Sequence, residues 1–153
     1  MQNNKVKILF VCHGNICRSP MAERVMKHLV AEAGMGDKFE IDSAAMRTDA
    51  IGCSMYSPAK RELEAHGISG EGHVARLMSL DDYDYYDLIV GMDDENERDI
   101  MRLTKNDPQN KFRLMMSFAG MSRGVADPWY TRNFTETWDD VNIACAEILS
   151  SYS

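Results

Sequence analysis

The sequence predicts an α/β fold. Short apolar runs alternate with longer stretches of helical periodicity, and the first three of these make a strand–helix–strand unit. Val6 to Val11 is a mostly apolar run rich in strand formers, ended by a Gly14-Asn15 turn. Ser19 suits an N-cap and Pro20 the first helical position. Ala22, Val25, Met26, Leu29, Val30 and Ala33 then repeat at the spacing of one buried helix face, with Gly34 as the stop. Glu40 to Ala44 reads as the second strand.

Ser57-Pro58 repeats the cap-and-proline signal and starts a helix through Leu63 to His66, closed by Gly67. Asp87 to Met92 is a third strand. The charged stretch from Asp93 to Arg102 reads as a helix with Ile100 and Leu103 inward and its charges on a solvated face. Phe112 to Met115 is a fourth strand. Phe134, Trp138, Val141, Cys145, Ile148 and Leu149 keep helical spacing, which makes Trp138 and Cys145 core residues. Segments 46–57 and 120–133 read as loops, which in an open α/β sheet gather near the carboxyl ends of strands, where ligands bind. No repeat, low-complexity tract or linker interrupts residues 1–153, a length sufficient for one domain with its own core.

The loop from Cys12 to Arg18 joins a strand end to a helix start. Unpaired backbone N–H groups there and the positive end of the helix dipole favour an anion. Gly14 is expected to let the backbone curl without a side-chain clash. The planar guanidinium of Arg18 can grip two phosphate oxygens. The same field favours a thiolate over a thiol, and a thiolate at Cys12 can attack phosphorus to form a phosphocysteine. Ser19 can hydrogen-bond the sulfur and ease its later departure. A buried, inert cysteine is the plain alternative, but it accounts for neither Arg18 nor Ser19-Pro20 at this spacing.

Composition narrows the function. The net charge of −7, with no basic stripe to offset it, argues against a general nucleic-acid or anionic-membrane role. The apolar run after Lys5 and Lys7 is too short for a secretory signal, and no stretch is long enough to span a bilayer. Four cysteines, at 12, 17, 53 and 145, are few and unevenly spaced, as expected of a protein in a reducing cytoplasm. Cys12, His13 and Cys17 lack a second close Cys/His pair, so no zinc site is expected. The lysine of a nucleotide-binding P-loop is also missing. A monomer is the default expectation.

A thiolate phosphatase acting on an aryl ester needs a proton donor, because the phenolate that leaves has a parent pKa of about 10. General acid catalysis contributes about 10²–10⁴-fold. Asp127 in Ala126-Asp127-Pro128-Trp129-Tyr130 and Asp107 in Asn106-Asp107-Pro108-Gln109 are both candidates, and either could simply shape a proline turn. The adjacent aromatics, which could flank a planar ring, favour Asp127.

Cys12-His13-Gly14-Asn15-Ile16-Cys17-Arg18-Ser19-Pro20 fits a Cys-x5-Arg-Ser-Pro signature close to the N-terminus. Asp127-Pro128-Trp129-Tyr130 fits a late Asp-Pro-aromatic-Tyr motif. With Asp42-Ser43-Ala44-Ala45, Gly72-His73-Val74-Ala75-Arg76 and Met92-Asp93, the chain resembles the low-molecular-weight protein tyrosine phosphatases over nearly its whole length. The resemblance implies a four-stranded parallel sheet with helices on both faces and a phosphate-binding loop between the first strand and first helix. It implies hydrolysis of protein phosphotyrosine without metal or cofactor, with Cys12 as nucleophile, Arg18 on the phosphate and Asp127 as acid. Asn15 would brace the loop with Ser43 and His73, and Asp93 would stand behind His73. Without the resemblance, His73 reads as an ordinary satisfied polar residue. Cys17 could pair reversibly with Cys12 against over-oxidation, or simply fill the base of the loop.

Two positions depart from the best-known pattern. Arg47-Thr48-Asp49-Ala50 presents no aromatic wall, and His13 stands where an apolar residue is common. A more open, more polar slot lined by His13, Asp49, Trp129 and Tyr130 is expected. Among related activities, arsenate reduction needs a relay cysteine pair, and residues 54–144 contain no cysteine. Phosphoarginine phosphatases tend to carry Thr where this chain has Ile16, which favours phosphotyrosine. A non-catalytic phosphopeptide-binding module would have no need of Cys12, Arg18 and Asp127 together.

Overall fold

A computed structural model describes residues 4–152. Four strands, β1 (Val6–Cys12), β2 (Phe39–Ala45), β3 (Leu88–Gly91) and β4 (Phe112–Leu114), form one parallel sheet in the order β2-β1-β3-β4. Because β1 is central, its alternating side chains are buried on both sides, which is why it reads as a continuous apolar run. Ile8, Phe10 and Cys12 face helices α1 (Arg18–Glu32), α2 (Ser57–Ala65) and α6 (Phe134–Ser151). Leu9 and Val11 face α3 (Leu80–Tyr85) and α4 (Asp94–Thr104). The four-stranded parallel sheet with helices on both faces is therefore present as expected. Methionine fills much of this core: Met21, Met26, Met55, Met78, Met92, Met115 and Met116 are all buried.

The sheet order sets the site. The crossover from β1 runs outward to β2, while β3 and β4 extend the other way. A switch point thus lies between the carboxyl ends of β1 and β3, where such sheets form a ligand crevice. Cys12 ends β1 and Gly91 ends β3.

Several expectations are corrected. Helix α1 begins at Arg18, with Cys17 at the N-cap, rather than after a Ser19 cap. Ser19 cannot cap because its hydroxyl is engaged by Cys12 and Asn15. Ala33 lies past the buried face as an exposed C-cap, while Gly34, at φ 72°, does end the helix, with Met35 N–H reaching back to Val30 C=O. Asp93 precedes α4 and caps it in a reciprocal pair with Asn96. Helix α3 and the single turn α5 (Pro128–Thr131) add structure within stretches without a predicted element. Asp107 serves as a turn: its carboxylate accepts from the Tyr83 hydroxyl and from the N–H groups of Lys111 and Phe112, at the amino end of β4 and away from Cys12.

Among the described residues, no helix is long and apolar enough to cross a membrane.

Candidate active site

The segment from the end of β1 to the start of α1 supplies six residues of a cleft of about 440 Å³: Cys12, His13, Gly14, Ile16, Cys17 and Arg18. Its curvature depends on Asn15, not Gly14. Asn15 is the left-handed residue, at φ 60°, and asparagine tolerates that region because its short polar side chain bonds locally. A Cβ on Gly14 would meet Ala50 Cβ at 3.7 Å and Ile16 at 3.8 Å, ordinary contacts.

Asn15 is fully buried and every side-chain bond it makes is directional. Its Nδ2 donates to Ser19 Oγ at 2.8 Å and to Ser43 Oγ at 3.0 Å, while Oδ1 accepts the Arg76 N–H at 3.1 Å. His73 Nε2–H donates to the Asn15 carbonyl at 2.6 Å. Ser43 in turn donates to Glu23 Oε1 at 2.6 Å, and Lys27 bonds the other carboxylate oxygen. With Ser19 Oγ accepting from Asn15, its hydroxyl proton is free to point at Cys12 Sγ, 2.9 Å away. The Asn15 N–H also points at that sulfur, at 3.3 Å. The N–H groups of His13, Gly14, Ile16 and Cys17 find no acceptor among the described residues. The cleft thus holds a sulfur atom that meets the Ser19 hydroxyl and the Asn15 N–H, with Arg18 and Asp127 on the same lining.

Arg18 spans the crevice between the β1 and β3 ends. Its side chain is nearly fully buried. Nη1 donates to Asp93 Oδ2 at 2.8 Å and to the Val125 carbonyl at 3.3 Å, and Nη2 lies 3.4 Å from Asp127 Oδ2. Burial opposes its charge, but Cys12, Asp127 and Asp93 outweigh that and strengthen its hold on the proton. The guanidinium is therefore a fixed cation. Asp93 is bound to Arg18 and to the Asn96 N–H, rather than standing behind His73. The cap geometry of α4 aims its carboxylate across the switch point.

Asp127 both shapes the proline turn and faces the cleft. Oδ1 caps α5 by accepting the Trp129 N–H at 3.0 Å, which leaves Oδ2 toward Arg18. Trp129 packs against Tyr56, with ring centroids 5.2 Å apart, and Tyr130 is 82% exposed at the rim.

His13 bridges two carboxylates, with Nε2 2.6 Å from Asp49 Oδ2 and Nδ1 2.8 Å from Glu95 Oε1. Ionised carboxylates only accept, so the bridge favours the imidazolium, in which both ring nitrogens donate. Burial works against that charge, but the bonds to Asp49 and Glu95 prevail and hold its pKa above the ordinary value. Cys17 is pushed up to about 12, chiefly by burial and then by the neighbouring Cys12 and Asp127, so it remains a thiol. All four cysteines are free thiols. Among the described residues, no three His, Cys, Asp or Glu side chains gather as a metal site requires.

Sequence reasoning missed Glu23, Tyr56 and Glu95. Glu95 sits in the charged stretch read as solvated, and nothing local marks its approach to His13 across 82 residues.

Comparison with known proteins agrees with this architecture. The low molecular weight phosphotyrosine protein phosphatase family matches residues 7–152. The chain is 34% identical over 148 residues to the low molecular weight protein-tyrosine-phosphatase YfkJ of Bacillus subtilis, covering 95% of each. It is 34% identical over 147 residues to the low molecular weight phosphotyrosine protein phosphatase of Gallus gallus, covering 93% of this chain and 92% of that one. The crystal structure of YfkJ superposes with a TM-score of 0.94 at 33% identity, covering 99% of this chain and 96% of that one. That of the Drosophila arginine phosphatase does so at 0.89 and 30%, covering 96% and 98%. The chain belongs to the low molecular weight phosphotyrosine protein phosphatase family, a family of hydrolases.

Proposed function

We propose that this protein hydrolyses phosphotyrosine in proteins through a phosphocysteine intermediate, with no metal. The observation that carries the reading is the convergence on one sulfur. Cys12 Sγ takes hydrogen bonds from Ser19 and the Asn15 N–H, in a cleft also lined by Arg18 and Asp127. The phosphoryl oxygens lie on the free loop amides and the Arg18 fork, which neutralise charge as the transition state forms. The Cys12 thiolate attacks phosphorus, the bond from phosphorus to the aryl oxygen breaks, and Asp127 Oδ2 delivers its proton to that oxygen. Water then attacks the phosphocysteine, Asp127 takes a proton from it, and the thiolate leaves onto the Ser19 hydroxyl. The two steps return the enzyme to its starting protonation.

Trp129 and Tyr130 on the cleft lining suit a phenyl ring, and Tyr56 backs Trp129. Ile16 and the names of the relatives support phosphotyrosine over other phosphoryl groups. Phosphoarginine is the second reading, favoured by the likeness to the Drosophila arginine phosphatase. We take residues 1–153 as one domain acting as a monomer in the cytoplasm, without nucleic-acid or membrane partners.

A panel of phosphotyrosine, phosphoserine and phosphoarginine peptides, with arsenate as control, tests the substrate. Preference for any but phosphotyrosine overturns it. Cys12→Ser is expected to abolish turnover while keeping phosphate affinity, and substantial residual activity would refute the nucleophile.

A further inference from the structure

We propose that Thr137 and Asp140 of α6 are positioning residues that set where Asp127 delivers its proton. The proposal rests on Asp127 being the general acid. Asp127 hangs from a short backbone segment, and among the described residues its side chain meets only the Trp129 N–H and Arg18. The peptide groups before it are held from one side by α6. The Thr137 hydroxyl donates to the Ala126 carbonyl at 2.8 Å, and Asp140 Oδ2 accepts the Ala126 N–H at 3.1 Å. The Ala126 carbonyl shares its rigid plane with the nitrogen of Asp127, so fixing that oxygen fixes the path of the chain into Asp127.

The geometry follows from helix spacing. Residues three apart lie on one face of a helix, and here both reach the same alanine. Thr137 is fully buried and Asp140 is 5% exposed. Their neighbours Trp138, Val141, Ala144, Cys145 and Ile148 form an apolar face, so burial alone does not call for a hydroxyl and a carboxylate here. Buried polar groups are tolerated when their bonds are satisfied, and these two find their partners on Ala126 and Arg123. Arg123 grips Asp140 through both nitrogens, at 2.8 and 2.7 Å, which keeps the carboxylate charged and aligned. Val125 completes the strap: its N–H donates to the Met92 carbonyl at 2.8 Å and its carbonyl accepts from Arg18. Helix α6 packs against α1, where Cys145 approaches the Ala22 carbonyl at 3.7 Å, and α1 carries Arg18. Acid and phosphate-binding cation are thereby referenced to the same pair of helices.

A displacement of about 1 Å can cost about 10² in rate. Protonation matters most for the poorest leaving group, so the test compares kcat/KM for phenyl phosphate and 4-nitrophenyl phosphate. Thr137→Val keeps shape and removes the donor. Asp140→Asn keeps shape and removes the charge, and if it does not fold, Thr137→Val decides alone. Each is expected to lose at least about fivefold more on phenyl phosphate than on 4-nitrophenyl phosphate, a fraction of the full acid contribution. Thr137→Ser, which keeps the hydroxyl, is expected to restore the native ratio. Combining Thr137→Val with Asp127→Asn is expected to be no slower than Asp127→Asn alone. If Asp127→Asn shows the leaving-group dependence but Thr137→Val slows both substrates equally, or neither, the positioning role is overturned and the acid stands. If Asp127→Asn itself slows both substrates equally, the acid assignment falls and the positioning role with it.

Discussion

Asp127 and Arg18 meet through a single carboxylate oxygen, Oδ2, 3.4 Å from Nη2, because the other oxygen is tied to the Trp129 N–H. The two oxygens of this carboxyl are therefore inequivalent. The tied one fixes the rotamer and the other faces the cleft. The proline after Asp127 helps, since it favours an extended backbone at the preceding residue, and Asp127 has φ −90° and ψ 107°.

Arg18→Lys is expected to lower kcat/KM at least about 100-fold with the fold intact. A lysine ammonium cannot present a planar fork to a phosphoryl group while also bonding Asp93 and the Val125 carbonyl. Steady-state kinetics beside circular dichroism check this. A loss below about tenfold would mean that the loop amides alone hold the phosphoryl group.

Asn15→Ala is expected to lower stability by about 2–4 kcal/mol, or about 6–12 °C in Tm. It strands the Arg76 N–H, takes a donor from the buried Ser43 and Ser19 hydroxyls, and forces alanine into a left-handed conformation. Asn15→Gly loses the same bonds without the steric cost and is expected to recover about 1 kcal/mol of the loss. Thermal melts of the two variants separate backbone from network, and equal melts would assign the whole effect to the side chain.

His13 is expected to titrate above 6.5, and to move downward in Asp49→Asn and in Glu95→Gln. Its folded value is raised. Its contribution to stability is therefore fully present below the unfolded value and is lost as pH rises through the folded one. An NMR titration of the ring checks the midpoint, and denaturation of wild type against His13→Gln checks the sign. A stability gap that widens with rising pH would contradict the bridge.

Alkylation at neutral pH is expected to label Cys12 and Cys53, with phosphate protecting only Cys12. Cys53 is exposed, and the buried Cys12 sulfur lines the cleft with the Ser19 hydroxyl and the Asn15 N–H upon it, whereas burial raises the pKa values of the Cys17 and Cys145 thiols. Peptide mass spectrometry reads out all four. Labelling of Cys17 ahead of Cys12 would place the reactive sulfur elsewhere in the loop.

What could be read in the sequence depended on distance along the chain. Cys12, Arg18 and Ser19 lie within one strand–loop–helix unit, so their chemistry was visible as spacing. Asp127 could be named only beside its rival Asp107. Topology separates them, since Asp107 precedes β4 at the amino edge of the sheet while Asp127 lies at the carboxyl edge with Arg18. The second carboxylate on His13, the Glu23 bond to Ser43 and the hold on Ala126 bring together residues 82, 20 and 11–14 positions apart, and no periodicity records such approaches. Helix α3 was missed because its six residues are mostly polar, although Ser79 with Asp82 forms a capping box three residues apart.

The methionines packed beneath the sheet give the molecule a chemical record of its own breathing. Thioethers are flexible gap-fillers that become polar, chiral sulfoxides on contact with oxidant. Met21, Met26, Met92, Met115 and Met116, which have no exposed surface, are out of reach of oxidant until the surrounding segment opens. Each conversion would then leave a polar group where apolar packing is required, so oxidative ageing of this protein is expected to be self-accelerating rather than gradual.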